Sequence, residues 1–439
     1  MGRHAMVTTL ARRFLPLALL SGAAAAQVPP LSAADSEPAK LGWMQGSPPA
    51  IDKQVRFDDA SMWFFPRTRW SFSHWRELVP TAAIPRAGPP SALPRAERRD
   101  LDAIRFTPLG ATAPMTWEQS LAANYTDGIV VLHRGRIVHE RYFGAGGPAN
   151  QHIAFSVTKS FVGTLAETLI AEGRLDPART IASYVPELAT SGFGDATVRQ
   201  ALDMRTGIAF VEDYVARGTE LTDPTRMSIA GGAAPAAPGY QGATTTPAFL
   251  AGIGKRGGHG GDFAYLTPNT QAVAWVLERI TGQSIAAQIS ARYWQPLGME
   301  EDAAIQVDRV GTGFAGGGMT AAMRDMARFG EMIRLGGKWQ GRQIVPPAAV
   351  RAILAPGDAA AFAAANYPGL DGGSYSSFWW HWASGQTMAV GIHGQGIYID
   401  PKAEMVIARF ASFPVATNRV INPTTLPAYD AMAAALAGK

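Results

Sequence analysis

The stretch Phe155-Ser156-Val157-Thr158-Lys159-Ser160-Phe161 decides how this chain is read. From Phe155 to Ala171 apolar residues recur at helical spacing, and Gly173 stands where a helix C-cap is expected. A separation of three residues puts the Ser156 hydroxyl and the Lys159 amine on one face of that helix. Backbone N–H groups and the positive dipole end of its first turn stabilise an alkoxide or oxyanion there. They also disfavour a protonated lysine, so a desolvated amine at this place can act as a base. One turn thus supplies nucleophile, proton acceptor and electrostatics. A Ser-x-x-Lys pair alone is weak, because average residue usage yields about one in a chain this long. Its surroundings have to carry the reading.

Upstream, Gly128 to Arg134 and Ile137 to Phe143 are two strand-like runs joined by a tight turn at Gly135. Downstream, residues 176–350 read as mostly helical with long Gly- and Pro-rich loops, notably 231–261. Ile397 to Asp400 and Met405 to Phe410 read as strands again, and Tyr429 to Ala437 as a closing helix. The expected fold class is α/β plus α: an antiparallel sheet with strands from both ends of the chain, flanked by helices, and a large mostly helical insertion. A cleft would lie between the two parts. Residues 27–110 are rich in Pro, Gly and Trp, and Trp43, Trp63, Phe64, Phe65, Trp70, Phe72 and Trp75 want burial. That segment reads as an irregular arm wrapped over the main domain.

Residues 1–26 read as an export signal. Arg12-Arg13 form a basic flank, Phe14 to Leu20 begin an apolar run, and Ala23 to Ala26 offer small residues for cleavage. The apolar run is well short of the roughly 20 residues of a spanning helix, so an integral membrane protein is not expected once the signal is removed. The paired arginines also hint at twin-arginine export. A bacterial periplasm or the exterior is the expected location.

Composition narrows the classes further. The 439 residues are 47% hydrophobic with 11 Trp and 19 Phe, ample for a substantial core, and contain no cysteine. Disulfides, thiolate metal sites, iron–sulfur clusters and cysteine nucleophiles are therefore excluded. The net charge of +4 falls to +1 without the three arginines of the signal, 36 basic against 35 acidic residues. A nearly neutral chain gives no electrostatic case for nucleic acid. His133 and His139 share the hairpin without a His-Glu-x-x-His motif or carboxylate cluster, so no metal site and no cofactor are expected. Gly252 to Gly258 lacks the Lys-Ser/Thr ending of a phosphate loop and reads as a mobile lid. In Phe263-Ala-Tyr265-Leu-Thr-Pro-Asn269 a tyrosine follows a Gly-rich loop and precedes a helix. A phenol near Lys159 could shuttle the serine proton to a leaving amine or alcohol.

Further blocks add specificity: His74-Trp-Arg-Glu-Leu-Val-Pro-Thr81, Glu172-Gly-Arg-Leu-Asp-Pro177, Tyr184-Val-Pro-Glu-Leu188, Glu212-Asp-Tyr-Val215, Gly313-Phe-Ala-Gly-Gly317 and Gly391-Ile-His-Gly-Gln395 followed by Asp400-Pro401. With Ser156 to Ser160 and Tyr265 to Asn269, they make the chain, from about residue 60 to its C-terminus, resemble a known family. It is the serine hydrolases of the class C β-lactamase, penicillin-binding protein and esterase fold, and within it the 6-aminohexanoate-dimer hydrolases. The resemblance implies a β-lactamase/transpeptidase-like hydrolase domain over 111–439, its α/β part at 111–160 and 375–439 and its helical part at 161–374. It implies Ser156 as nucleophile, Lys159 as general base and Tyr265 as proton relay, with Ile392 giving an oxyanion-hole N–H beside that of Ser156.

The family's last motif is usually Lys-Thr-Gly or His-x-Gly; here it falls on Ala389-Val390-Gly391, so the cationic first residue is missing. In relatives that cation helps bind the carboxylate of β-lactams and peptidoglycan peptides, and its absence argues against both. His393 is an alternative substrate contact, although two residues along a strand is one full pleat away. Tyr214, Trp380 and Asn269 match substrate-binding positions. Two departures stand out: the acid that holds the substrate amine falls near Thr225, with Asp223 two residues away, and an asparagine near the site becomes Gly316. The expected substrate is a small linear amide or carboxylic ester. A β-lactamase or D-Ala-D-Ala peptidase and a non-catalytic binding protein of the same fold are the alternatives, and a homodimer is left open.

Overall fold

Ile129, Val130, Val131 and Leu132 leave no apolar edge for water, and a run of this kind is stable only as a strand covered on both faces. In the computed structural model, which describes residues 30–215 and 220–437, all four are fully buried. They lie in β1 (Thr126–His133), which turns back into β2 (Arg136–Tyr142). Arg134 and Gly135 both have positive φ, 52° and 75°, as the two-residue turn matching strand twist requires. The remaining strands come from the other end of the chain: β3 (Ser374–Ser376), β4 (Trp379–His381), β5 (Thr387–Gly391), β6 (Gln395–Asp400) and β7 (Met405–Ala411). The sheet order is β3-β4-β5-β6-β7-β1-β2 and all pairings are antiparallel, so first and last segments are zipped side by side at β1 and β7. The export signal expected over 1–26 lies outside the described residues.

Helices cover both faces. α1 (Val157–Ala171) is buried along nearly its whole length. Its Phe161 stacks on Phe329 of the helix Met323–Arg334 at 3.8 Å between ring centroids, inside the larger core. Removing a fully buried phenylalanine side chain from such a core costs about 3–5 kcal/mol. The other face is closed by the C-terminal helix Asn422–Ala437, whose Tyr429, Met432 and Leu436 pack on Ile129, Val131 and Ile407. That helix begins seven residues before the expected Tyr429 and runs through Pro427. Among the described residues no helix is long and apolar enough to cross a membrane.

The insertion is less helical than its sequence suggests. Ala303–Gln306 and Met319–Ala322 join Thr81–Ile84 and Gln151–Ile153 in a second, four-stranded antiparallel sheet. The segment 27–110 therefore lends a strand to this sheet. It is pinned further by Arg69, which is buried, ion-paired to Asp127, and donates to the Tyr125 carbonyl at 3.1 Å and to Ser412 Oγ at 3.0 Å. Its aromatics meet the chain just before α1: Phe72 and Trp75 pack edge-on against Phe155, with Trp63 tilted beside them. The expected lid over 252–258 is not one. Lys255 bridges to Ile208, and the Gly192 N–H donates to the Ile253 carbonyl at 2.6 Å, so backbone pairing fastens the glycines to the helical region.

Candidate active site

The second sheet and α1 are joined by a turn at Phe155, a non-glycine residue at φ 45°. A bulky side chain at positive φ is strained, and the aromatic cluster from the arm holds it there. The turn delivers Ser156 to the start of α1 with its side chain making no cap bond. Lys159, one turn later, places Nζ 2.8 Å from Ser156 Oγ and 2.5 Å from the Gly316 carbonyl oxygen. The lysine is 1% exposed. Burial pulls its amine down to about 7, while the negative charge of Glu212 acts the other way.

Tyr265 comes in from the loop before the helix Pro268–Thr281. Its ring centroid is 5.0 Å from Lys159 Nζ and it stacks on Trp380 at 5.5 Å. Burial holds the phenol well above its usual range, opposed in part by a hydrogen bond with Ser156. The three side chains named from sequence thus meet at one point, protonated phenol and weakly basic amine on either side of the hydroxyl.

Two close approaches build the rest. A Cβ on Gly391 would stand 2.5 Å from the Ala154 carbonyl oxygen, so only glycine lets the end of β5 press against the serine turn. The chain then leaves the strand in a tight turn, Ile392–Gly394, with His393 at φ 61°. Asn418 staples this turn, donating to the Gly391 carbonyl at 2.8 Å and accepting from the Gly394 N–H at 3.0 Å. Ser156 and Ile392 line one cavity, and no turn or loop backbone bond among the described residues engages either amide N–H. The second approach is at Gly316, where a Cβ would stand 2.5 Å from Thr267 Cγ2. Its N–H is held by Gln271 Oε1 at 3.3 Å, which aims the carbonyl at Lys159.

The cavity has two limbs that share Ser156, Ile392, Glu212, Tyr214 and Trp63. The wide limb, about 800 Å³, runs past Tyr265, Tyr367, Trp380, Val390 and Arg409. The narrow limb, about 90 Å³, is walled by Phe155, Phe210, Met227 and Phe314, with Thr225 also in its lining. Tyr214 belongs to both and donates its hydroxyl to Glu212 Oε1 at 2.5 Å. Glu212 also accepts from the Thr267 N–H at 2.8 Å and the Thr267 hydroxyl at 2.6 Å. This carboxylate had no role assigned from sequence. Its one signal is its place two residues before Tyr214.

Two expectations need correction. Asn269 does not line the cavity: it is fully buried behind Tyr265, accepting from the Thr206 hydroxyl at 2.6 Å and turning its amide to Met204 Sδ at 3.3 Å. His393 is not on a strand and is no replacement cation. Its Nδ1–H donates to the Phe413 carbonyl at 2.6 Å, it packs against Phe72 and Phe155, and burial pulls it down to about 4, leaving a neutral ring in the wall of the narrow limb. Asp223 is turned away, accepting from the Val211 N–H and from Arg226, both at 2.9 Å. Among the described residues no group of three or more His, Asp or Glu could hold a metal ion.

Comparison with known proteins adds to this geometry. The family model described as Beta-lactamase matches residues 118–426. A 6-aminohexanoate-dimer hydrolase from Paenarthrobacter ureafaciens is 36% identical over 352 residues, 80% of this chain and 86% of that protein. A solved structure named "Putative 6-aminohexanoate-dimer hydrolase from Bacillus anthracis" has a TM-score of 0.77 at 30% identity, covering 85% of this chain and 95% of that one. A penicillin-binding protein homolog from Caulobacter crescentus shares the fold at a TM-score of 0.52 and 17% identity, over 72% of this chain and 96% of its own.

Proposed function

The chain belongs to the beta-lactamase family, and from that premise we propose that it is an exported serine hydrolase opening small linear amides or carboxylic esters through an acyl-enzyme on Ser156. One observation carries the reading: a buried amine, pulled down to about 7, stands 2.8 Å from Ser156 Oγ. At neutral pH a large share of Lys159 is uncharged and can take the serine proton as Oγ attacks the carbonyl carbon. The oxyanion would sit between the N–H groups of Ser156 and Ile392, and losing one such donor typically costs about 10²–10³ in kcat. The Tyr265 phenol, still protonated, would pass a proton to the departing amine or alkoxide. Water then attacks the acyl group with the same residues in reverse.

The relative named a 6-aminohexanoate-dimer hydrolase supports a linear amide as one substrate. The narrow limb modifies that expectation. With threonine at 225 and Asp223 occupied elsewhere, the carboxylate that borders this limb among the described residues is Glu212, which already accepts from Tyr214 and Thr267. Neutral acyl chains suit it better.

A panel of p-nitrophenyl esters, aminohexanoate oligomers and cephalosporins against the mature protein tests the proposal. Turnover of an ester or linear amide and labelling by a fluorophosphonate probe are expected, and both should vanish in Ser156→Ala. Labelling that survives this change would reject Ser156. Rapid acylation by a fluorescent penicillin would move the protein to the β-lactamase or peptidase reading, which the missing cation before Gly391 disfavours. Export is tested by N-terminal sequencing of protein from the periplasm and the medium.

A further inference from the structure

The usual strand cation is missing at Ala389, but the neighbouring row, which runs through Val390, carries a cation two strands away. Val390 on β5 pairs with Gly396 on β6, and Gly396 pairs with Arg409 on β7, so the three form one cross-strand row. Side chains in such a row share a face. Gly396 contributes none, and Arg409 and Val390 both border the wide limb.

Arg409 is 4% exposed. Its Nε donates to the Gly394 carbonyl at 2.8 Å and its Nη1 to Thr425 Oγ1 at 2.9 Å. Nη2 has no protein acceptor among the described residues, yet it is not among the buried polar atoms sealed from solvent. No carboxylate among the described residues pairs with this guanidinium, whereas the buried Arg69 and Arg328 each hold one. A guanidinium withdrawn from water without a counter-ion is unfavourable, and the planar fork of arginine suits a carboxylate. Asn418, Asn422 and Arg419 border the same limb. Arg419 is spent on the carbonyls of Asn366 and Ala365 at 2.9 and 3.0 Å, with its guanidinium over the Tyr367 ring.

We infer that Arg409 is a specificity-determining residue: it takes a carboxylate at the end of the substrate in the wide limb, so the preferred substrates are linear amides or esters ending in a free acid. The inference rests on the hydrolase reading above and deepens it. It also explains how a site without the usual strand cation would still select an anionic substrate. The carboxylate is met from the far side of the Ile392–Gly394 turn rather than from β5.

Two matched ester pairs test it. In one, hexanoate is esterified with 6-hydroxyhexanoate or with the N-methylamide of the same alcohol. In the other, 4-nitrophenyl hydrogen adipate is set against 4-nitrophenyl hexanoate. In at least one pair the acid should have a kcat/KM roughly tenfold higher, mainly through KM. Arg409→Gln should bring that ratio below about twofold, and Arg409→Lys should restore part of it. A purely structural role would slow both members of a pair together and leave the ratio standing. No preference for either acid in the natural protein, or a preference that persists in Arg409→Gln, overturns the inference. Calorimetry on Ser156→Ala with adipate and with adipamide supplies a readout independent of turnover. Selective adipate binding would sustain the Arg409 assignment even if no ester were cleaved, and absent adipate binding would sink it. Failure of every ester and amide would count against the hydrolase proposal alone.

Discussion

The two limbs of the cavity start from the same serine and are both walled by aromatic rings, yet they offer a ligand opposite things. In the narrow limb several polar groups are already engaged: Glu212 with Tyr214 and Thr267, Thr225 with Thr222 at 2.9 Å, and His393 through Nδ1 with a carbonyl. A ligand there meets mostly apolar wall. In the wide limb Arg409 keeps an N–H without a protein acceptor among the described residues, and the phenol of Tyr265 borders the same space beside Ser156. Aromatic content alone therefore says little about what a cavity binds. Which donors and acceptors remain unpaired says more.

The largest expected effect falls where the limbs meet. Lys159→Met removes the base and should lower kcat/KM by roughly 10³-fold or more on any substrate. In the natural protein only the uncharged amine accepts a proton, so kcat/KM should fall as pH drops through about 7 and level off above it. A rate that holds constant down to pH 5 would remove Lys159 from the base role. Next comes Gly391→Ala. Its new methyl would stand 2.5 Å from the Ala154 carbonyl, so the Ile392 turn must move. A loss of about 10² in kcat, equal for substrates of either limb, is expected from steady-state kinetics.

Smaller changes should separate the limbs. Thr225→Asp places an acid in the lining of the narrow limb, and acyl chains ending in an ammonium should gain roughly tenfold in kcat/KM while neutral chains lose. An equal change for both would show that acyl groups do not lie there. The least selective effect is on stability, and it has two sources, one in the wall of the narrow limb and one on β4. His393 and His381 are both pulled down to about 4 by burial. The unfolded chain, with histidines near 6.5, takes up protons first as pH falls. Stability is therefore whole above about 6.5 and declines towards 4, by at most roughly 3 kcal/mol per histidine. Denaturant midpoints across that window should show the decline. His393→Phe and His381→Phe, each filling its site without titrating, should each flatten it.

Much of the site is legible in the sequence because its decisive parts are local. The 129–132 run, the Arg134-Gly135 turn and the three-residue Ser156–Lys159 spacing each fix geometry within one hairpin or one helix turn. Tyr265 is distant but flagged by a tyrosine set between a glycine-rich loop and a helix start. The second sheet is not legible: its strands are three or four residues long, and Thr81 finds its partner at Gln306. Such pairings leave no period to detect. His393 misleads because β5 ends at Gly391, and a positive-φ turn replaces the expected pleat. Asn269 misleads for another reason: it sits in the first turn of the helix Pro268–Thr281 and bonds to Thr206 and Met204 instead of lining the cavity. Arg409 shows no local signal, since what matters is a glycine on the neighbouring strand.

Trp63 belongs to the N-terminal arm yet borders both limbs, with its indole N–H anchored on the Ala233 carbonyl at 2.9 Å. A truncated version keeping only the segment the family model matches, 118–426, would retain every proposed catalytic group but lose Trp63 from the cavity, the Thr81–Ile84 strand from the second sheet and Tyr429, Met432 and Leu436 from the core. The arm thus joins two duties in one segment: Trp63 borders the space a guest would occupy, and Phe72 and Trp75 hold the Phe155 turn ahead of Ser156, so trimming it should disturb acceptance and chemistry together.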